Sequence, residues 1–225
     1  MSYNGTINNY VKFSKKIGGV RKAYEGHNLP WMYYGGFKFP SLDVLPTSGN
    51  VLPAFTPVKV DEVARTIVPL YIFKVKAVDT ANNKVQVYKD VEGTRAKVGM
   101  PLILVGNNLS QAATNVATVT AIDSSNTDYD VLTLSASPAT SGTAWWAAGD
   151  YLAEADSTSS KKVKVVPNGL TPYDTCVDED AYALDGDAVW GADAPILERR
   201  IVPIPDSIKA ALKAADCVFK FSNRK

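Results

Sequence analysis

From Val68 onward, apolar and polar side chains alternate along the chain with the period of two that marks a strand with one buried face. In VPLYIFKVKAV, Tyr71, Phe73, Val75 and Ala77 share one face, while Lys74 and Lys76 fall on the other. DTANN supplies turn residues, and KVQVY (84–88) returns with Val85 and Val87 inward, so 70–88 reads as a hairpin. MPLILVG (100–106), NVATVTAID (115–123) and DVLTLSAS (130–137) follow, the last two separated by the turn-rich SSNTDY. Short strands with turns at this spacing predict a small antiparallel barrel or sandwich that closes near Gly149-Asp150-Tyr151-Leu152. KVGMPLILVG and AAGDYLAEAD look like two equivalent turn-to-strand passages, but the pattern asserts no longer repeat.

The polar stretch DSTSSKK (156–162) then introduces a different C-terminal unit. KVKVV (162–166) is strand-like, the stretch to Asp193 is acidic and irregular, and the prolines of ERRIVPIP (198–205) hold that segment extended. The period changes to 3.6 after Asp206, whose carboxylate is expected to cap a short helix. Ile208, Ala211, Leu212 and Ala215 line one face of that helix, with Lys209 and Lys213 outward. In CVFKF, Cys217, Phe219 and Phe221 predict a final strand. The expected fold is mainly β: an extended arm over 1–67, an antiparallel β body over 68–155, and a C-terminal α+β unit over 156–225.

Before Val68 no period is sustained, yet the first sixty residues hold ten aromatic side chains, from Tyr3 and Tyr10 through Phe13, Tyr24, Trp31, Tyr33, Tyr34, Phe37 and Phe39 to Phe55. A solvated linker would not retain so much apolar area. Cover must come from the rest of the chain or from another molecule, and the segment reads as an assembly arm. It also carries seven basic side chains, among them Lys12, Lys15 and Lys16, against Glu25 and Asp43, in a chain of nearly balanced charge. The arm is therefore basic and the remainder acidic. That pairing predicts docking of the arm on the acidic 174–193 region of an adjacent copy.

At 225 residues with 46% apolar and 21% charged side chains, the composition is globular, and no run of about 18 apolar residues predicts a membrane-spanning helix. The polar start MSYNGTINNY lacks the apolar stretch of a signal peptide. Cys176 and Cys217 lack the close spacing of a zinc knuckle and read as free thiols, although one bridge between them stays open. The sole histidine, His27, lies in the arm, a poor platform for catalysis. The acidic stretch fails as an EF-hand: counting from Asp178, Ala183 stands where glycine is needed and Val189 where glutamate is needed. No catalytic, metal or cofactor site is expected, and direct contact with nucleic acid is not favoured, because the basic run lacks an accompanying recognition motif. Trp145 and Trp146 point to opposite faces of an extended segment, so only one enters the body's own core. The other needs a subunit interface or a stacked sugar, and Trp146 is placed with the interface residues.

The succession KVGMPLILVG, ATVTAIDSSNTDYDVLTLSAS, AAGDYLAEAD and ILERRIVPIPDSIKAALKAADCVFKF resembles the auxiliary capsid, head-decoration and head-fibre proteins of tailed bacteriophages that infect gut Bacteroidota, over about residues 68–225. The resemblance implies a non-enzymatic virion protein made in the host cytoplasm. It would sit on the outside of the capsid against the major capsid protein, other copies of itself or other head proteins. A carbohydrate-binding or fibre-anchoring module of the head, using Trp145, Trp146, Trp190 and Tyr151, is the alternative.

Overall fold

A computed structural model describes residues 31–33, 36–47, 50–89, 94–177, 185–193 and 195–222. The first strands are short: β1 (Trp31–Met32), β2 (Phe37–Lys38) and, after a 3-10 turn at Leu42–Val44, β3 (Val51–Leu52). The hairpin β4 (Pro57–Asp61) and β5 (Thr66–Pro69) follows. Longer strands come next: β6 (Ile72–Asp79), β7 (Lys84–Tyr88), β8 (Pro101–Leu104), β9 (Val116–Asp123) and β10 (Tyr129–Leu134). A ribbon of β11 (Ala139–Thr140) and β12 (Thr143–Ala144) precedes β13 (Tyr151–Glu154). The C-terminal part holds β14 (Gly169–Leu170), β15 (Thr175–Cys176), β16 (Asp185–Gly186), β17 (Val189–Gly191) and β18 (Ile196–Leu197). A 3-10 turn at Glu198–Arg200, helix α1 (Asp206–Ala214) and β19 (Phe221–Ser222) complete it.

The protein is mainly β, as the alternation predicts, and of the two expected body forms it is the barrel. Six strands close in the order β10-β7-β6-β13-β8-β9, every pair antiparallel. The barrel carries an internal twofold relation that the sequence hides. Strands β6, β7 and β8 correspond in order to β9, β10 and β13, and every pairing in one half recurs in the other. Leu152 opposite Phe73 answers to Leu102 opposite Ala117, and Val75 opposite Val87 answers to Val119 opposite Leu134. Lys76 and Thr120 are the extra residues of two matching bulges. The axis passes through the pairs Ile103–Ala153 and Val85–Leu132, where equivalent residues face each other.

The turns repeat as well. Gly99 (φ 90°) and Gly149 (φ 94°) adopt the same left-handed conformation that glycine alone takes without strain. Gly99 N–H donates to Val119 O at 2.8 Å, and Gly149 N–H donates to Val75 O at 2.9 Å. The likeness of KVGMPLILVG and AAGDYLAEAD is therefore the visible part of a whole three-strand repeat. Elsewhere the two halves have diverged, as in Phe73 against Ala117.

The expected body, 68–155, contains all six barrel strands, but the presumed arm and the C-terminal unit are separate neither from each other nor from its core. Strands β4, β5 and β2 join β14, β17, β1 and β16 in one seven-stranded sheet, so the end of the presumed arm pairs with the C-terminal part. Phe37, Leu45, Leu52, Val58 and Ile67 share a core with the barrel interior of Phe73, Val75, Leu102, Leu132 and Leu152. A second core sets Phe55, Leu70, Leu170, Val189, Ile208 and Leu212 against Ile72, Ile103 and Ala153 on the outer face of the barrel. Leu102 packs in the first core and Ile103 in the second, so β8 needs apolar side chains on both faces. Asn168 ties the parts together: its side-chain oxygen accepts from Val60 N–H at 2.7 Å and its side-chain nitrogen donates to Val60 O at 3.0 Å.

Helix α1 forms where expected, burying Ile208 and Leu212, but it is capped differently. Pro205 is the N-cap and no side chain caps it; Asp206 lies in the first turn and accepts from Lys209 Nζ at 3.0 Å. The final strand is shorter than CVFKF implies, with β19 at Phe221–Ser222 running parallel to β18.

Candidate interaction surface

Strand β1 adds to the edge of the seven-stranded sheet beside β17, with Trp31 opposite Gly191 and Met32 opposite Val189. Gly191 is required at that point. A β-carbon there would lie 2.5 Å from Trp31 Cε3, so the indole can rest on β17 only because the side chain is missing. Trp31 also packs on Trp190, with ring centroids 4.8 Å apart and tilted by 50°, leaving Trp190 36% exposed. Tyr33 continues the segment: its N–H donates to Ala188 O at 3.0 Å and its hydroxyl to Asn168 O at 2.8 Å. Burial first, and then the charge of Glu62 and the one Cys217 acquires only in alkali, pushes the Tyr33 hydroxyl up to about 12, so it stays a donor.

These side chains border an open groove of about 560 Å³ lined by Met32, Tyr33, Glu62, Trp190, Ala215 and Asp216. Its floor is aromatic and apolar, the charged residues that line it among the described residues are the two acids, and both are exposed. Residues 1–30 join the described chain at Trp31, beside the groove. Such a surface accepts apolar rings flanked by cations. Behind it, Cys217 donates its thiol to Asn168 O at 3.0 Å, and burial, reinforced by Asp216, pushes that thiol up to about 11. It is a protonated packing group rather than a nucleophile.

The expected interface residues separate into three sets. Trp31 and Tyr33 are half-buried at the groove. Phe37 and Phe39 are core residues, 1% and 9% exposed, and Trp146 is 3% exposed, so these three have no surface to offer a partner. The chain itself supplies the cover that Phe37 and Phe39 need, through β5, β16 and the barrel. Of the tryptophan pair, Trp146 enters the core. Trp145 packs edge-on to it, ring centroids 6.3 Å apart, and its Nε1–H donates to Thr140 Oγ1 at 2.6 Å. Lys12, Phe13, Lys15, Lys16, Tyr24 and Tyr34 lie outside the described residues, as does His27, a candidate for catalysis alone and not for the interface. Met32, Glu62 and Asp216 were missed, because none belongs to a period and they converge only through folding.

No protein-family model, curated protein or solved structure matches the chain. The surface must therefore be interpreted from its own chemistry. In the acidic stretch, Asp174 accepts from Ala54 N–H at 2.7 Å, and Asp187 accepts from the hydroxyl of Tyr173, which burial and that carboxylate push up to about 12. Asp178, Glu179 and Asp180 lie outside the described residues. Among the described residues no three His, Cys, Asp or Glu side chains gather as metal ligands, and no helix is long and apolar enough to cross a membrane.

Proposed function

We propose that this chain is an accessory structural protein of a tailed-bacteriophage head. It binds the major capsid lattice from outside and acts by association rather than catalysis. The observation that carries the reading is the aromatic, acid-rimmed groove at the root of residues 1–30, which are themselves basic and aromatic. A basic aromatic segment attached beside an acidic aromatic groove is the arrangement by which neighbouring copies exchange arms, each groove receiving a segment from the next. Many side chains along an extended segment offset the cost of ordering it, roughly 1–2 kcal/mol per residue. The carbohydrate alternative loses one of its stacking residues, since Trp146 is buried.

The test adds purified protein to phage heads that lack it and counts bound copies by quantitative mass spectrometry. The full chain should bind at a fixed ratio to the major capsid protein. A chain lacking residues 1–30 should stay folded yet fail to join the heads. Normal occupancy by that shortened chain would overturn the reading.

A further inference from the structure

We propose that a second concavity, at the end of the barrel away from the β6–β7 turn, is a docking site for an acidic segment of a partner protein. The cavity, of about 360 Å³, lies between β6, the end of β7, Thr94–Arg95 and the segment 199–203. Five cationic side chains line it, Lys74, Lys89, Arg95, Arg199 and Arg200, and no acid does so among the described residues. Lys89 is balanced by Asp130, and Arg95 and Arg200 have interactions of their own, so Lys74 and Arg199 are the cations that an incoming anion would meet.

The site is built rather than accidental. Lys89 Nζ is fixed by the carbonyls of Ser124 (2.8 Å) and Asn126 (2.5 Å), and it lies 3.0 Å from Asp130, which sits fully buried behind it. Arg95 is 7% exposed, and Arg95 and Arg200 are held by interactions of their own. Cations whose positions are already set lose little freedom when a ligand arrives.

The twofold relation of the barrel supplies an internal control. Lys74 corresponds to Thr118, Tyr88 to Ser135 and Lys89 to Ala136, so the same fold is built in the other half without cations at these positions. Lys74 is therefore not a requirement of the strand that carries it, whereas Lys89 is tied to Asp130.

Arginine forks bind carboxylates in bidentate fashion, and Tyr88, 47% exposed, offers a ring to the rest of a peptide. The charges converge on one concavity instead of running as a stripe, which favours carboxylates on a peptide over a nucleic-acid backbone. Taking the partner to be a protein rests on the assembly reading above; the pocket itself is separate from the aromatic groove.

The full-length protein is titrated into a fluorescein-labelled oligoglutamate peptide, and separately into a labelled oligothymidylate, at low ionic strength, with binding read by anisotropy. The peptide should bind, and Lys74→Glu combined with Arg199→Glu should weaken it by roughly tenfold or more, while Lys162→Glu with Lys213→Glu changes it less than about twofold. Should the charge-reversed protein fail to fold, Lys74→Gln with Arg199→Gln is expected to weaken the peptide by roughly threefold or more. An unbound peptide, or equal affinity in the folded pocket variant, overturns the site. Tighter binding of the oligothymidylate, lost in the same variant, overturns the assignment to protein. Peptide binding by a protein that never joins heads would leave the pocket standing and overturn only the virion reading.

Discussion

Asp130 stands on β10 where the alternation calls for an apolar side chain, in line with Leu132 and Leu134, and it is fully buried. Lys89 approaches it at 3.0 Å as a charge, without hydrogen-bonding geometry, so the pair depends on opposite charge alone. Removing one member strands the other. Lys89→Ala is expected to cost about 3–5 kcal/mol in urea unfolding, whereas Lys89→Met combined with Asp130→Leu should be near neutral or stabilising. If Lys89→Ala lost less than about 1 kcal/mol, solvent would have to reach the carboxylate in the fold. At Gly191 the limiting quantity is space. Gly191→Ala must displace Trp31, so tryptophan fluorescence should shift toward that of solvated indole, with about 1–3 kcal/mol lost. An unchanged spectrum would mean that β1 does not lie on β17 in solution.

The two hairpins of the barrel are capped alike. Asp79 accepts from Asn82 Nδ2 at 2.7 Å and from the N–H groups of Asn82 and Ala81, while its counterpart Asp123 accepts from Ser125 N–H at 3.0 Å. The bond from the Asn82 side chain, and then its backbone N–H, holds Asp79 below the usual carboxylate range; the Ser125 N–H and side chain do the same for Asp123. A carboxylate held below its unfolded value, about 4, contributes its full stability above that value and loses it as the pH falls through the lower folded value. Asp79→Ala with Asp123→Ala should therefore flatten the acid limb of the urea midpoint below about pH 4. Parallel curves for variant and parent would refute the shared role. In α1, Leu212→Ala empties a site only 1% exposed in the second core and should cost about 2–5 kcal/mol, read by thermal and urea unfolding.

For the molecule as a whole, the truncation that the sequence invites and the one the structure permits are different. Deleting 1–60 removes β1 to β3 and most of β4, with Phe37, Leu45, Leu52 and Phe55 from both cores, and should abolish cooperative unfolding. Deleting 1–30 removes none of these, and the shortened chain should still unfold cooperatively in urea. A folded product of the longer deletion would show that the seven-stranded sheet is dispensable. Where five or more residues alternate, as in β6, β7, β9 and β10, the sequence alone determined the strands, because each side chain's preference for water or core is written locally. The helix was legible for the same reason at a period of 3.6, with Ile208 and Leu212 at its core. Strands of two residues, such as β1 to β3 and β14 to β16, contain no period at all. Their existence depends on partners more than a hundred residues away, as Trp31 depends on Gly191. The twofold of the barrel was hidden likewise, because Lys74 and Thr118 share a place in the ladder but no chemistry. The aromatic content of the N-terminal segment was plain from the sequence. Tertiary structure alone decided that Phe37 and Phe39 go inward while Trp31 and Tyr33 border a groove, since burial follows from the surface that distant parts of the chain bring together.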